Sequence, residues 1–204
     1  VTMDAPIDFT RIGLKSAQLA LDYGDPANPA NHKHGDFIFA PGDLERKEFQ
    51  VFLNQSHDTF YHYNVQYHFD PQSGWEGQRF SYNLPSRVTE DRTLFINPFE
   101  DLGFVEINVI PSRIDWGVIR SVDVALRYDD PVSGFHQETI VTFTQETPAQ
   151  QWKLRLSTPD ARRYRYQPTF HLSDGTSHSS AEQETMASAV AIDDPFAAAL
   201  NLIF

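Results

Sequence analysis

Arg163-Tyr-Arg-Tyr-Gln-Pro-Thr-Phe-His-Leu-Ser-Asp-Gly175 decides the fold, because it has a counterpart at Phe60-Tyr-His-Tyr-Asn-Val-Gln-Tyr-His-Phe-Asp70. Tyr164 follows Tyr61 by 103 residues in a chain of 204, which reads as two copies of one module. In the second copy Tyr164, Tyr166, Thr169 or Phe170, and Leu172 are strand-forming residues at near-alternate positions, and Asp174-Gly175 closes the run with a turn signal. Pro168 removes a ladder donor from the run, so a bulge or an outward-facing edge is expected there. Val65 stands at the matching place in the first copy, and the alternation continues unbroken.

Outward from this pair, Leu156 precedes Tyr164 by eight residues and Leu53 precedes Tyr61 by eight. An apolar strand end, a polar corner and then Tyr-x-Tyr resembles the corner between strands E and F of fibronectin type III and immunoglobulin-like sandwiches. The resemblance implies two tandem β-sandwich domains, with a hydroxyl of Tyr61 and of Tyr164 bonded back to the corner backbone. It implies a fold and no activity.

The rest of the chain repeats in step. Ser16-Ala-Gln-Leu-Ala-Leu-Asp-Tyr23 matches Ser121-Val-Asp-Val-Ala-Leu-Arg-Tyr128, with apolar residues alternating in both. A period of two over that length predicts a half-buried strand. Asp36-Phe-Ile-Phe39 and Thr139-Ile-Val-Thr-Phe143 follow, then Phe49-Gln-Val-Phe-Leu53 and Trp152-Lys-Leu-Arg-Leu156, again 103 residues apart. Val1–Pro6 is expected to form a short strand, and no helix is required anywhere. Asn97-Pro98-Phe99 and Asp194-Pro195-Phe196 are read as joints, which places the repeats at 1–97 and 98–204 as an internal duplication. After the joints, Val105-Glu-Ile-Asn-Val109 opens the second repeat, and Leu200-Asn-Leu-Ile-Phe204 has the pattern of the opening strand of a third. Such a strand either folds back on the second repeat, the course its local concentration favours, frays, or completes the first repeat of a neighbouring chain.

Composition bounds the function. The net charge is −12, divided as −5 over residues 1–97 and −7 over the remainder, so neither half carries the cationic excess that nucleic acid requires. No apolar run approaches the length of a membrane span. With no cysteine, disulfide frameworks and thiolate metal sites are excluded.

Candidates for chemistry are few. Ser56-His57-Asp58 has the residue types of a catalytic triad, but adjacent side chains do not converge as a triad must, and the second copy has Thr158-Pro159-Asp160 there. His32-Lys-His34 would place two imidazoles on one face of an extended segment, yet the second copy keeps only His136 nearby, and His171 opposite His68. These are read as loop and strand polar residues. Asp129-Asp130 is the best candidate for a hard cation such as calcium, although Asp before Pro in a turn explains such residues without an ion. Trp75, Phe80 and Tyr82 lie in a segment that the second copy builds from Ser, Thr and His, which makes them a candidate ligand-binding surface for a sugar or a protein.

The expectation is a non-enzymatic structural or adhesive module without cofactor, part of an extracellular or cell-surface array. Its expected partners are other proteins or neighbouring copies of itself. A carbohydrate- or protein-binding module using the first repeat's aromatics is the alternative.

Overall fold

The computed structural model describes residues 1–54 and 57–196. Among the described residues the fold is all-β apart from one helical turn, and the chain forms two compact units, each a sandwich of two sheets. The first unit comprises Val1–Trp75 and Arg79–Asp101; the second comprises Glu76–Gln78 and the chain from Leu102 onward.

In chain order the first stretch carries β1 (Thr2–Asp4), β2 (Leu14–Tyr23), β3 (Lys33–Phe39), β4 (Lys47–Glu48) and β5 (Tyr61–Phe69). Next come β6 (Glu76–Gly77), β7 (Ser81–Asn83), β8 (Arg87–Thr89), β9 (Thr93–Phe95) and the turn α1 (Pro98–Asp101). The remainder holds β10 (Gly103–Pro111), β11 (Ile119–Asp130), β12 (Phe135–Phe143), β13 (Gln150–Leu156) and β14 (Tyr164–Leu172). It ends with β15 (Ser177–Ser179), β16 (Gln183–Thr185) and β17 (Ala189–Ile192). The Leu200–Phe204 segment lies outside the described residues.

One plan is built twice. The larger sheet of the first unit runs β3-β2-β5, with β7 and β8 both on the far side of β5. In the second unit it runs β12-β11-β14, with β15 and β16 beyond β14. The alternating apolar residues of the central strands supply the core. Ala17, Leu19, Leu21 and Tyr23 are buried on β2, as are Val122, Val124, Leu126 and Tyr128 on β11. Each pair of central strands shifts register once, between Leu14 and Ser16 and between Ile119 and Ser121. The shared irregularity supports duplication more strongly than shared hydrophobicity, which any sandwich needs.

Pro168 produces no bulge: Val124 pairs with it in regular register on β14. Its carbonyl accepts from the Ser180 N–H (2.9 Å), where the edge is interrupted between β15 and β16. In the first unit the Val65 carbonyl accepts from the Leu84 N–H (2.9 Å) at the matching gap between β7 and β8. A strand residue directs its N–H and C=O to the same side. The missing donor of Pro168 therefore faces a gap that exists even where valine occupies the position. The gap tolerates the proline and is not caused by it.

The smaller sheets differ in extent. In the second unit β10 pairs antiparallel with β13 over seven residues, from Gly103 opposite Leu156 to Val109 opposite Gln150, and parallel with β17. In the first unit β1 pairs parallel with β9, but antiparallel with only two residues of β4. Phe49–Leu53, expected as a strand, has no ladder partner among the described residues beyond Phe49. The opposite edge of β13 is covered by β6, which runs parallel to it with Glu76 opposite Leu154 and Gly77 opposite Arg155. A side chain there would be crowded, because a Cβ at position 77 would lie 3.0 Å from the Arg155 carbonyl oxygen and 3.2 Å from its guanidinium.

Pro98-Phe99, expected as a joint, falls within the one helical turn of the described residues, against the expectation of none. The turn is held in the first unit by Asp101, whose carboxylate accepts from the Tyr67 hydroxyl on β5 (2.7 Å) and from Arg87 on β8 (2.5 Å).

Candidate functional site

Hydroxyls at strand ends close both sandwiches, though not in the expected way. Tyr61 donates to the Asp91 carbonyl (2.8 Å) and Tyr164 to the Ala187 carbonyl (2.6 Å), both downstream of the strand and away from the preceding corner. The corner is stapled by the other recurring pair. Tyr23 donates to the Asp58 carbonyl (2.9 Å) and accepts from the Asn54 N–H (3.0 Å), while Tyr128 donates to the Ala161 carbonyl (2.8 Å). Burial pushes Tyr61, Tyr128 and Tyr164 up to about 12, so these hydroxyls stay protonated donors throughout the neutral range.

The corner also places one of the three residues weighed as a triad. Asp58 is held by Asn54, whose side-chain amide donates to its carboxylate (2.7 Å) and whose side-chain oxygen accepts its backbone N–H (3.0 Å). Ser56 lies outside the described residues.

Asp129 and Asp130 do not converge on a common point. As neighbours on β11 they belong to opposite faces. Asp130 is buried, and it caps its own turn by accepting from the Val132 N–H (2.9 Å) and the Ser133 hydroxyl (2.5 Å). Asp129 is on the outer face between His136 and Arg165. The hydrogen bond from His136 lowers its pKa; burial, the next largest effect, acts upward, and the hydrogen bond from Arg165 and the two positive charges leave the net shift downward. An arginine on the carboxylate makes it a poor cation ligand. Arg127, Glu138, Arg165 and Glu182 continue this outer network across the sheet. Such exposed pairs contribute little each.

The first unit's polar cluster is built differently. Asp22 accepts from His32 (3.0 Å) and His34 (2.8 Å), and His34 also reaches Asp36 (3.0 Å). Hydrogen bonds to Asp22, then to Asp36, raise the His34 pKa. For Asp22, burial acts upward but the two histidine hydrogen bonds outweigh it, and the pKa is lowered. Among the described residues no group of three or more His, Asp or Glu is arranged to hold a metal ion. His171, the recurring histidine, lies between Asp123 (2.9 Å) and the Ser177 hydroxyl (2.8 Å) and ties β11 to β14 and β15.

Trp75, Phe80 and Tyr82 do not form one aromatic face. Trp75 is 5% exposed with its indole N–H donated to the Arg11 carbonyl (3.1 Å), and Tyr82 is 7% exposed with its ring edge-on to Phe69. Only Phe80 of the three is exposed, at 45%. The residues special to the first copy serve its architecture: Trp75 anchors the chain immediately before β6.

The exposed apolar surface that stands out is the unpaired stretch after β4. Phe49 is buried, and its backbone is the last to pair, donating N–H to the Val1 carbonyl (2.8 Å) and accepting from the Val1 ammonium (2.7 Å). Among the described residues Gln50–Leu53 pair with no strand. Phe52 is 99% exposed and Leu53 51%, and a cleft of about 290 Å³ opens between this stretch and the loop that joins β2 to β3. The counterparts of Val51 and Leu53 are Leu154 and Leu156, both fully buried. Sequence alternation marks Val51 and Leu53 as inward residues, but it does not report that no strand lies beside them.

No protein-family model matches the sequence, and no curated protein matches it. Among solved structures, a candidate adhesin from Bacteroides ovatus aligns over 90% of this chain and 81% of its own, at 8% identity and a TM-score of 0.36. The CBD12 structure from CALX1.2 aligns over 84% and 74%, at 13% identity and a TM-score of 0.19. Similarities this low leave function to be argued from the chain's own geometry. Among the described residues no helix is long and apolar enough to cross a membrane.

Proposed function

We propose that the chain is a structural, adhesive module: two consecutive β-sandwich units of a tandem array in a surface, secreted or filamentous assembly, with no catalytic role. The observation that carries this reading is the pairing of first and last strands. In the first unit β1 and β9 run parallel side by side, with Thr2 opposite Thr93 and Met3 opposite Leu94. In the second, β10 and β17 do the same, with Val109 opposite Val190. Tension on a unit enters at the start of one of these strands and leaves at the end of the other. It therefore slides the two along their common axis and loads their hydrogen bonds together. A hairpin pulled at its open end breaks its bonds one after another.

A single-molecule force ramp applied through the ends of the chain tests the reading. Two unfolding steps are expected, each at a force above that needed to open the β11–β12 hairpin through cysteine handles at Arg120 and Thr144. The chain has no cysteine of its own to interfere. The first unit should yield first, because β1 has two antiparallel partners on β4 where β10 has seven on β13. Terminal pulling that takes no more force than hairpin opening would defeat the load-bearing reading.

A further inference from the structure

A row of polar side chains crosses the outer face of the second unit's larger sheet, one from each of four adjacent strands. Thr142 on β12 donates its hydroxyl to Asp123 Oδ1 on β11 (2.7 Å). Asp123 Oδ2 lies 2.9 Å from His171 Nε2 on β14, and His171 Nδ1 lies 2.8 Å from the Ser177 hydroxyl on β15. Strand register brings the four together. Thr142 stands opposite Asp123 and Ser177 opposite His171, while Asp123 and His171 are diagonal neighbours across β11 and β14. A carboxylate only accepts hydrogen bonds, so in the neutral ring the proton of His171 is on Nε2, and Nδ1 accepts from the serine. Burial acts upward on the Asp123 pKa, but the hydrogen bonds from Thr142 and then His171 lower it. The net shift is downward, and the carboxylate is ionised at neutral pH.

The first unit carries the same serine and histidine without the carboxylate. His68 stands opposite Ser81 across β5 and β7, as His171 stands opposite Ser177, but Gln18 on β2 occupies the place of Asp123. There the serine hydroxyl accepts from the Gln66 side-chain amide (3.2 Å). In the second unit an exposed serine meets a base that accepts its proton, and an acidic residue fixes that base, the arrangement that activates a serine. The ring presents Nδ1 to the serine, and either nitrogen of a neutral imidazole serves as the base. We propose that Ser177 is a modification site, a nucleophile that takes an acyl group from an activated ester or thioester. His171 is its base, and Asp123 and Thr142 position the imidazole. Ser177 Oγ attacks the acyl carbon, and its proton passes to His171 Nδ1. The bond to the phenolate or thiolate leaving group breaks, and that group takes the proton from His171. The products are an ester of Ser177 and a phenol or thiol. Hydrolysis of the new ester would have to expel an alkoxide, a far poorer leaving group, so the acyl group stays and the step occurs once per chain. The site adds a point of covalent attachment to the structural role proposed above and does not depend on that role.

Treating the full chain with p-nitrophenyl acetate and mapping the acetyl groups by peptide mass spectrometry tests it. Two serines of the same molecule serve as references. Ser179 shares the outer face of β15 but bonds to the Thr169 hydroxyl (2.9 Å), and Ser81 lacks the carboxylate-backed imidazole. Ser177 should be acetylated about 100-fold faster than either, the low end of what a positioned general base supplies. Release of p-nitrophenol from that site should stop at one per chain. His171→Gln should bring Ser177 down to the rate of the references. Asp123→Asn should slow it about tenfold or more while leaving theirs unchanged, because the ring loses the partner that fixes its tautomer. Circular dichroism checks that both variants fold, and the comparison among the three serines needs no variant. Equal rates at Ser177, Ser179 and Ser81, or a Ser177 rate that neither substitution lowers, would overturn the proposal. So would continued release of p-nitrophenol that disappears in Ser177→Ala, because the acyl group would then pass to water.

Discussion

Replacing Trp152 by alanine should lower the stability of the second unit by about 3–5 kcal/mol, the usual cost of removing a large aromatic from a packed core. Trp152 is 4% exposed and belongs to the core formed with Ile107, Leu126 and Tyr164. Its indole N–H also donates to Glu76 on β6 (3.1 Å), so the substitution opens a void and removes the bond that ties the edge strand to β13. Tyr128→Phe provides the internal scale. It removes only the hydroxyl bonded to Ala161, and its loss should be about 0.5–1.5 kcal/mol, the net contribution of one hydrogen bond. Urea unfolding followed by circular dichroism reads both. If Tyr128→Phe costs more than Trp152→Ala, the core has been placed wrongly.

The second large effect is expected at Asp101. Its side chain is 6% exposed and accepts from both the Tyr67 hydroxyl and the Arg87 guanidinium. Burial, and then the hydrogen bond to Asp101, pushes the Tyr67 hydroxyl far above the usual tyrosine value, which leaves it a permanent donor. Asp101→Ala removes the acceptor for two donors at once and leaves the Tyr67 hydroxyl enclosed without it. The loss should be about 3 kcal/mol, since bonds to charged groups exceed neutral ones and a buried donor is costly to strand. Asp101→Asn keeps an acceptor and loses only the charge, so it should fall between alanine and the unmodified chain. Thermal melts in which asparagine and alanine are equally harmful would show that the carboxylate's hydrogen bonds are not what holds α1 in place.

The sequence was legible where structure is local. Alternation over β2, β5, β11 and β14 identified the central strands, because a half-buried strand repeats every two residues and these run for nine to twelve. The constant separation of Tyr61 from Tyr164, and of Phe49 from Trp152, exposed the duplication. What escaped is non-local. The strands β9 and β17 have three and four residues, too few for a period to register, and parallel pairing with the first strand of the unit leaves no local trace. The sequence points to Tyr61 and Tyr164 as the corner staples, but Tyr23 and Tyr128 hold that role, because tyrosines stand at the ends of both central strands. Only the path of the loops decides which hydroxyl reaches the corner. Trp75 looked surplus because the second copy lacks it; burial against Arg11, 64 residues away, is invisible to pattern. The adjacent carboxylates Asp129 and Asp130 show the reverse case, since neighbours in sequence lie on opposite faces of a strand.

Native-state amide hydrogen exchange tests the central claim, one sandwich plan built twice, most directly. Exchange protection follows the strands whose backbone is paired on both sides and whose side chains fill the core. The slowest amides should therefore fall at matched positions in the two copies: Leu19 and Leu21 on β2 with Val124 and Leu126 on β11, and Tyr67 on β5 with Phe170 on β14. Gln50–Leu53 should exchange far faster than Lys153–Leu156 in the dilute monomer. Protection confined to one copy, or slow exchange at Gln50–Leu53 in the monomer, would contradict the account.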